Sequence, residues 1–352
     1  MVNRREDNLV DVGEALLRCL SGFPGVRLKE QPSDGPDDRL RPDYVATLCV
    51  GDRSVVLIAQ VKTKGEPRPA REAVNLLVRS REAMPGSYAV FVAPYVSPES
   101  ARICLEEGIG YADLAGNCHL AFGTVLVSRE GRSNPFGQKR VLRSLFSPKA
   151  ERVHRVLLQD PGRRWRTQAL AREAGVSLGQ VSNVKRLLEE QEWIGADADG
   201  VFLSRPRALL ERWRDQYRKD RSLSLSCYGM MSVAELEAGI AHACGTEEIQ
   251  YALTAFSAAA RWAPTVKYQR ATVYVAGDVE GVLRRLELKE VSSGANIVLL
   301  KPYDDGVFQA ARTLDGLQLV SPIQAYLDLH AQPGRGEEAA MELFRKEIEP
   351  TW

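Results

Sequence analysis

The stretch TQALAREAGVSLGQVSNVKRLLEEQEWIGADADGVFLSR, Thr167 to Arg205, leaves the backbone little choice. Thr167 can cap a helix over QALAREAG, with Leu170, Ala171 and Ala174 on one side. Gly175 permits the left-handed residue that stops it. Ser177 caps a second helix, LGQVSNVKRLLEEQEW, whose apolar stripe is Val181, Val184, Leu187 and Leu188. Gly179, Ser182, Asn183 and Arg186 point the opposite way, with Gln180 at the flank. Two short strand-like runs follow, joined at Asp199-Gly200.

Helix, left-handed turn, capped helix and hairpin together resemble the winged helix-turn-helix of bacterial transcription regulators. The resemblance implies a second helix that enters the major groove of double-stranded DNA. Ser182, Asn183 and Arg186 then read bases, with Gln180 assisting. Lys185, Arg163, Arg164, Arg166, Arg205 and Arg207 are candidates for phosphate contact. Charge is consistent with this: residues 139–221 hold 19 Lys+Arg against 11 Asp+Glu, a net of +8 in a chain whose total is +1. A basic middle between acidic flanks suits a polyanion. Two other readings stay open, a winged helix used for protein contacts and a merely solvated basic face.

At 352 residues the chain exceeds one ordinary core. It reads as three segments, 1–138, 139–221 and 222–352. No apolar run reaches the roughly 18 residues of a membrane span. The start, MVNRREDNLVDVGEALL, carries acids and no apolar leader, so a cytoplasmic protein is expected. Six scattered cysteines without a CxxC pair argue for reduced thiols, and four His residues without ligand spacing argue against a His-based metal centre. No cofactor is expected outside the first segment.

That segment opens with an amphipathic helix containing Leu9, Val10, Val12, Leu16, Leu17 and Leu20. A polar loop, EQPSDGPDDRLRP, leads to two strand-like runs, DYVATLCV and SVVLIAQV, turned at Gly51-Asp52-Arg53. Pro42-Asp43 before the hairpin and Gln60-Val61-Lys62 at its end resemble the PD-(D/E)xK, or restriction-endonuclease-like, superfamily. The resemblance implies an α/β core in which Asp43 and the residue at position 60 hold Mg²⁺. Lys62 would position the attacking water, and Glu14 on the first helix would assist. Gln60 departs from the pattern, because an amide brings no charge to a hard cation. Three readings follow: a working Mg²⁺-dependent DNA endonuclease, a core that binds without cutting, and a chance match. Asp113, Asn117 and His119 in GYADLAGNCHLAFG are further polar candidates, or simply a turn before a strand.

In the last segment, YALTAFSAAARWAP, KYQRATVYVAG and LVSPIQAYLDLHAQPGRGEEAAMELFRKEIE resemble the AbiEi family of type IV toxin–antitoxin antitoxins. This implies a winged helix joined to a C-terminal α/β domain, for which a nucleotidyltransferase-like fold is one option. It also implies a repressor of its own operon, counteracting a nucleotidyltransferase-like toxin. Regulators of this kind bind as dimers or in several copies on half-sites, and the residues do not fix the number. The run ATVYVAG has no paired Asp, so catalysis by this segment is not expected. The expected class is therefore an α/β and α+β multidomain protein that regulates transcription, with a DNA endonuclease as the alternative.

Overall fold

A computed structural model describes residues 3–20, 25–31, 41–51, 53–136, 145–217, 221–264 and 267–352, with side chains of the first helix from Val12 onward. Leu9 and Val10 as side chains, Asp52, most of the EQPSDGPDDRLRP loop and the joint near residue 139 lie outside the described residues. The chain divides into two compact units, residues 1–141 with 188–192, and residues 142–187 with 193–352. Most of the second sequence segment thus lies with the third in one unit, while its residues 188–192 group with the first.

The first unit is a seven-stranded sheet whose spatial order is the sequence order. Its strands are β1 (Arg27–Glu30), β2 (Tyr44–Val50), β3 (Arg53–Val61), β4 (Tyr88–Ala93), β5 (Gly110–Asp113), β6 (Cys118–Phe122) and β7 (Val125–Arg129). Pairs β3/β4 and β4/β5 are parallel, the others antiparallel. Parallel neighbours need crossovers, supplied by helices α2 (Pro67–Ala83) and α3 (Pro98–Glu106). Ser97 caps α3 by accepting the Ser100 N–H at 3.2 Å. Alternation along the strands sorts the side chains between two cores. Tyr44, Ala46, Leu57 and Ala59 pack with Val12, Leu16 and Leu20 of helix α1 (Asn3–Leu20). Val45, Ile58, Ala89 and Phe91 pack with α2 and α3.

The second unit begins with α4 (Pro148–Gln159), α5 (Thr167–Ala174) and α6 (Leu178–Glu190). The hairpin β8 (Ile194–Asp197)–β9 (Gly200–Leu203) and α7 (Pro206–Gln216) follow. Another seven-stranded sheet runs β13-β10-β14-β12-β11-β16-β15. These are β10 (Leu223–Tyr228), β11 (Gln250–Leu253), β12 (Ala271–Ala276), β13 (Lys289–Glu290), β14 (Ile297–Lys301), β15 (Arg312–Leu314) and β16 (Leu317–Leu319). Residues Ala271–Val275 and Ile297–Leu300 are buried throughout, as strands covered on both faces must be. Helices α8 (Val233–Thr246), α9 (Ala255–Trp262), α10 (Val279–Arg285), α11 (Pro322–His330) and α12 (Gly336–Leu343) complete the unit. Among the described residues no helix is long and apolar enough to cross a membrane. All six cysteines are free thiols.

Candidate nucleic-acid interface

Gly175 adopts φ +63°, and the N–H groups of Gly175 and Val176 return to the carbonyls of Arg172 and Ala171 at 3.1 and 3.0 Å. This closes α5 and turns the chain within two residues. Ser177 then accepts the Gln180 N–H at 3.2 Å and starts α6. The start of α5 differs from its sequence reading. Thr167 is already helical, Arg166 precedes it without a side-chain cap, and the Thr167 hydroxyl accepts from Lys185 Nζ at 3.3 Å. That bond fastens α6 across α5.

Val181, Val184, Leu187 and Leu188 are buried, while Ser182 and Arg186 are exposed and Asn183 half-buried. Arg186 donates to Asn183 Oδ1 at 3.0 Å, one turn back along the outward face. These two polar side chains, an amide and a guanidinium, are of the types that read base edges. Gln180 is half-buried at the flank.

The hairpin is tied to the helices through Trp165, which exchanges backbone hydrogen bonds with Val201 at 2.8 and 3.0 Å. Gly200, at φ +146°, lies so close to that strand that a Cβ would meet the Trp165 carbonyl oxygen at 2.7 Å, so only glycine fits. Arg163 stacks on the Trp165 ring at 3.9 Å and Arg164 on the Phe202 ring at 4.4 Å. Arg164 also donates to Asp197 Oδ2 at 3.1 Å. Arg166 and Arg205 are exposed on the same small module. Arg207 is set apart: it pairs with Glu211 at 2.9 Å and approaches Glu349 and the Phe344 ring. Such an exposed pair leaves it a candidate for phosphate contact, as the Asp197 bond leaves Arg164 one.

A second constellation escapes a reading of the sequence. Gln324 and Asp328, one turn apart on α11, are buried and face the helical part of the unit. Asp328 accepts from Thr254, Tyr217 and Tyr274 hydroxyls at 2.5, 2.6 and 3.0 Å, and from Gln324 at 3.1 Å. Gln324 accepts from the Arg155 guanidinium of α4 at 2.5 and 3.2 Å. Arg155 also donates to Tyr303, which donates in turn to Glu151, and Arg221 donates to Glu151 at 2.9 Å. Burial raises the Asp328 carboxyl above the usual carboxylate range although four donors work against it. Burial likewise lifts Tyr217 and Tyr274 well above the usual phenol. Nearby, Arg152 makes a two-pronged contact with Asp304 at 2.6 and 3.1 Å, and Gln309 donates to the Ala174 carbonyl at 3.3 Å. The helix–turn–helix is braced at both α4 and the end of α5 by the segment after β14 and by α11.

In the first unit Asp43 stands one residue before β2 and accepts the Val61 N–H at 2.9 Å. Gln60 donates to the Arg41 carbonyl at 3.2 Å, and Lys62 lies 3.8 Å from Glu72 of α2. These three positions are brought together. Glu14 is not: it lies on α1, across the sheet, and pairs with Arg18 at 2.6 Å. One carboxylate beside a neutral amide is a poor set for a hard divalent ion. Among the described residues no group of three His, Cys, Asp or Glu could hold a metal. These residues do not fit Mg²⁺. Asp113 is fully buried and accepts from Asn117 N, Asn117 Nδ2 and Val96 N, while Asn117 accepts the Arg132 N–H, so both hold a turn. His119 lies 3.4 Å from the Ser128 hydroxyl. In the last segment Asp278 caps α10 by accepting the Gly281 N–H at 2.9 Å.

The fold and this site define a mixed α/β protein of two units that carries a helix–turn–helix and hairpin module. Residues 202–348 match the family model described as transcriptional regulator, AbiEi antitoxin, type IV TA system. The matched region runs from β9 to the C-terminal helices and is less than half of the chain. Neither the curated proteins nor the solved structures contain a match to this chain.

Proposed function

We propose that this protein is a DNA-binding transcriptional regulator of the antitoxin type, acting in the cytoplasm. The observation that carries the reading is the outward face of α6, where Ser182, Asn183 and Arg186 lie on the side opposite a buried stripe. The AbiEi match over residues 202–348 supports the antitoxin part, including repression of its own operon and a nucleotidyltransferase-like toxin as counterpart. Ser182, Asn183 and Arg186 read bases with Gln180 at the flank. Lys185, Arg163, Arg164, Arg166, Arg205 and Arg207 neutralise phosphates. The first unit is a PD-(D/E)xK-like core that serves as a binding scaffold without cutting. Gln60, an uncharged amide where an acid would hold the metal, supports that reading over the endonuclease.

A mobility shift with the promoter fragment of the protein's own gene, titrated with salt and repeated with Mg²⁺, tests both parts. Salt-sensitive binding without cleavage is expected. Binding no tighter to the promoter than to unrelated DNA would overturn the regulator reading.

A further inference from the structure

We infer that the second unit carries a binding pocket for a small phosphate-bearing nucleotide, distinct from the DNA-reading face. A cavity of about 530 Å³ opens at the N-terminal ends of the parallel strands β12 and β14. This lies within the size range of small-molecule sites. Lys267, Arg270 and Arg335 line it, and no carboxylate does. Among the described residues no acid pairs with Lys267 or Arg270, whereas Arg335 holds Glu338 in an exposed pair that a phosphate could displace. Clustering three cations around a concavity is unfavourable unless an anion fills it.

The remaining lining suits a base. Phe256 offers an apolar ring, and Gln269 and Gln332 offer amides that both donate and accept. The walls are fastened from behind. Asn296 is clamped to Gly229 by bonds of 3.0 and 2.8 Å, and Tyr268 donates to the buried Glu237, which Arg261 also holds at 2.7 Å. The loop bearing Lys267 and Arg270 is thereby pre-positioned, which lowers the entropy lost on binding. An adenine- or guanine-type ligand would lay its ring on Phe256 with its phosphates among the three cations.

Calorimetric titration of the full chain with ATP, GTP, CTP, UTP, pyrophosphate and a single-stranded oligonucleotide tests this. At least one nucleoside triphosphate should bind more tightly than pyrophosphate. Lys267→Ala combined with Arg270→Ala should weaken it about tenfold or more, since two charge-assisted contacts are lost. Both side chains are exposed, so the variant should fold, and unchanged circular dichroism would verify it. No triphosphate binding at millimolar concentration would overturn the proposal. So would pyrophosphate binding as tightly as every nucleotide, or heat detected with the oligonucleotide alone. Promoter binding needs none of these residues, so its outcome is separate.

Discussion

The phenolic hydroxyl of Tyr217 donates to Asp328 at 2.6 Å, joining the chain just after α7 to α11 across 111 positions of sequence. A buried carboxylate with four donors loses one in Tyr217→Phe, which should destabilise the second unit by about 1–2 kcal/mol. Asp328→Ala strands all four donors and should cost more, about 3 kcal/mol. Thermal melting measures both, and an unshifted Asp328→Ala melt would mean the network contributes nothing.

Arg186→Ala should cost about 1–3 kcal/mol of affinity for the operator while leaving unrelated DNA less affected. The double change with Asn183→Ala removes the paired donor and acceptor together. Competition binding reads the difference, and equal operator affinity in the double variant would remove these residues from base recognition.

Arg163→Ala should behave otherwise, weakening all duplexes alike. The slope of log affinity against log salt should fall by about 1. A loss confined to one sequence would reassign Arg163 from phosphate to base contact.

Incubation of the wild-type chain with supercoiled DNA and Mg²⁺ or Mn²⁺ should leave the DNA intact. Cleavage that vanishes in Asp43→Ala and Lys62→Ala, and rises in Gln60→Glu, would restore the endonuclease reading.

His154 on α4 is fully buried, and burial pushes it down to about 4. The unfolded chain takes up a proton near pH 6.5 that the folded chain refuses until about pH 4. Stability from this residue is therefore complete above pH 6.5 and falls as pH drops towards 4, by about 3 kcal/mol in all. His154→Gln should flatten that part of the curve of melting temperature against pH, even if the variant is less stable throughout. An identical slope in both proteins would exclude His154 as its source.

What the residues announce in advance is local. Gly175, the Ser177 cap, the stripe from Val181 to Leu188 and the turn at Gly200 are each decided by neighbours a few positions away, and each takes its expected place. Strands β1 and β5 were not legible, because β1 is exposed along most of its length and β5 is buried at every position, so neither alternates. Gln324 and Asp328 were missed for a different reason. In an apolar helix they read as surface positions, and their partners stand up to 169 positions away. Asp43, Gln60 and Lys62 were legible as neighbours because a hairpin brings them together, but Glu14 depended on which face of the sheet α1 covers.

The Gln309 bond to the Ala174 carbonyl and the Arg152–Asp304 fork bear on how this helix–turn–helix can be recombined with other domains. A helix–turn–helix and hairpin module cut out at residues 145–217 would strip Glu151 of Tyr303 and Arg221, and Arg155 of Tyr303 and Gln324. Its turn would lose the Gln309 bond to the Ala174 carbonyl. Grafting a foreign module onto this sheet, or this module onto another, should therefore succeed only when the partner residues at 303, 304, 309, 324 and 328 travel with it. Under the proposed function, a change of operator is better sought by rewriting the outer face of α6 alone.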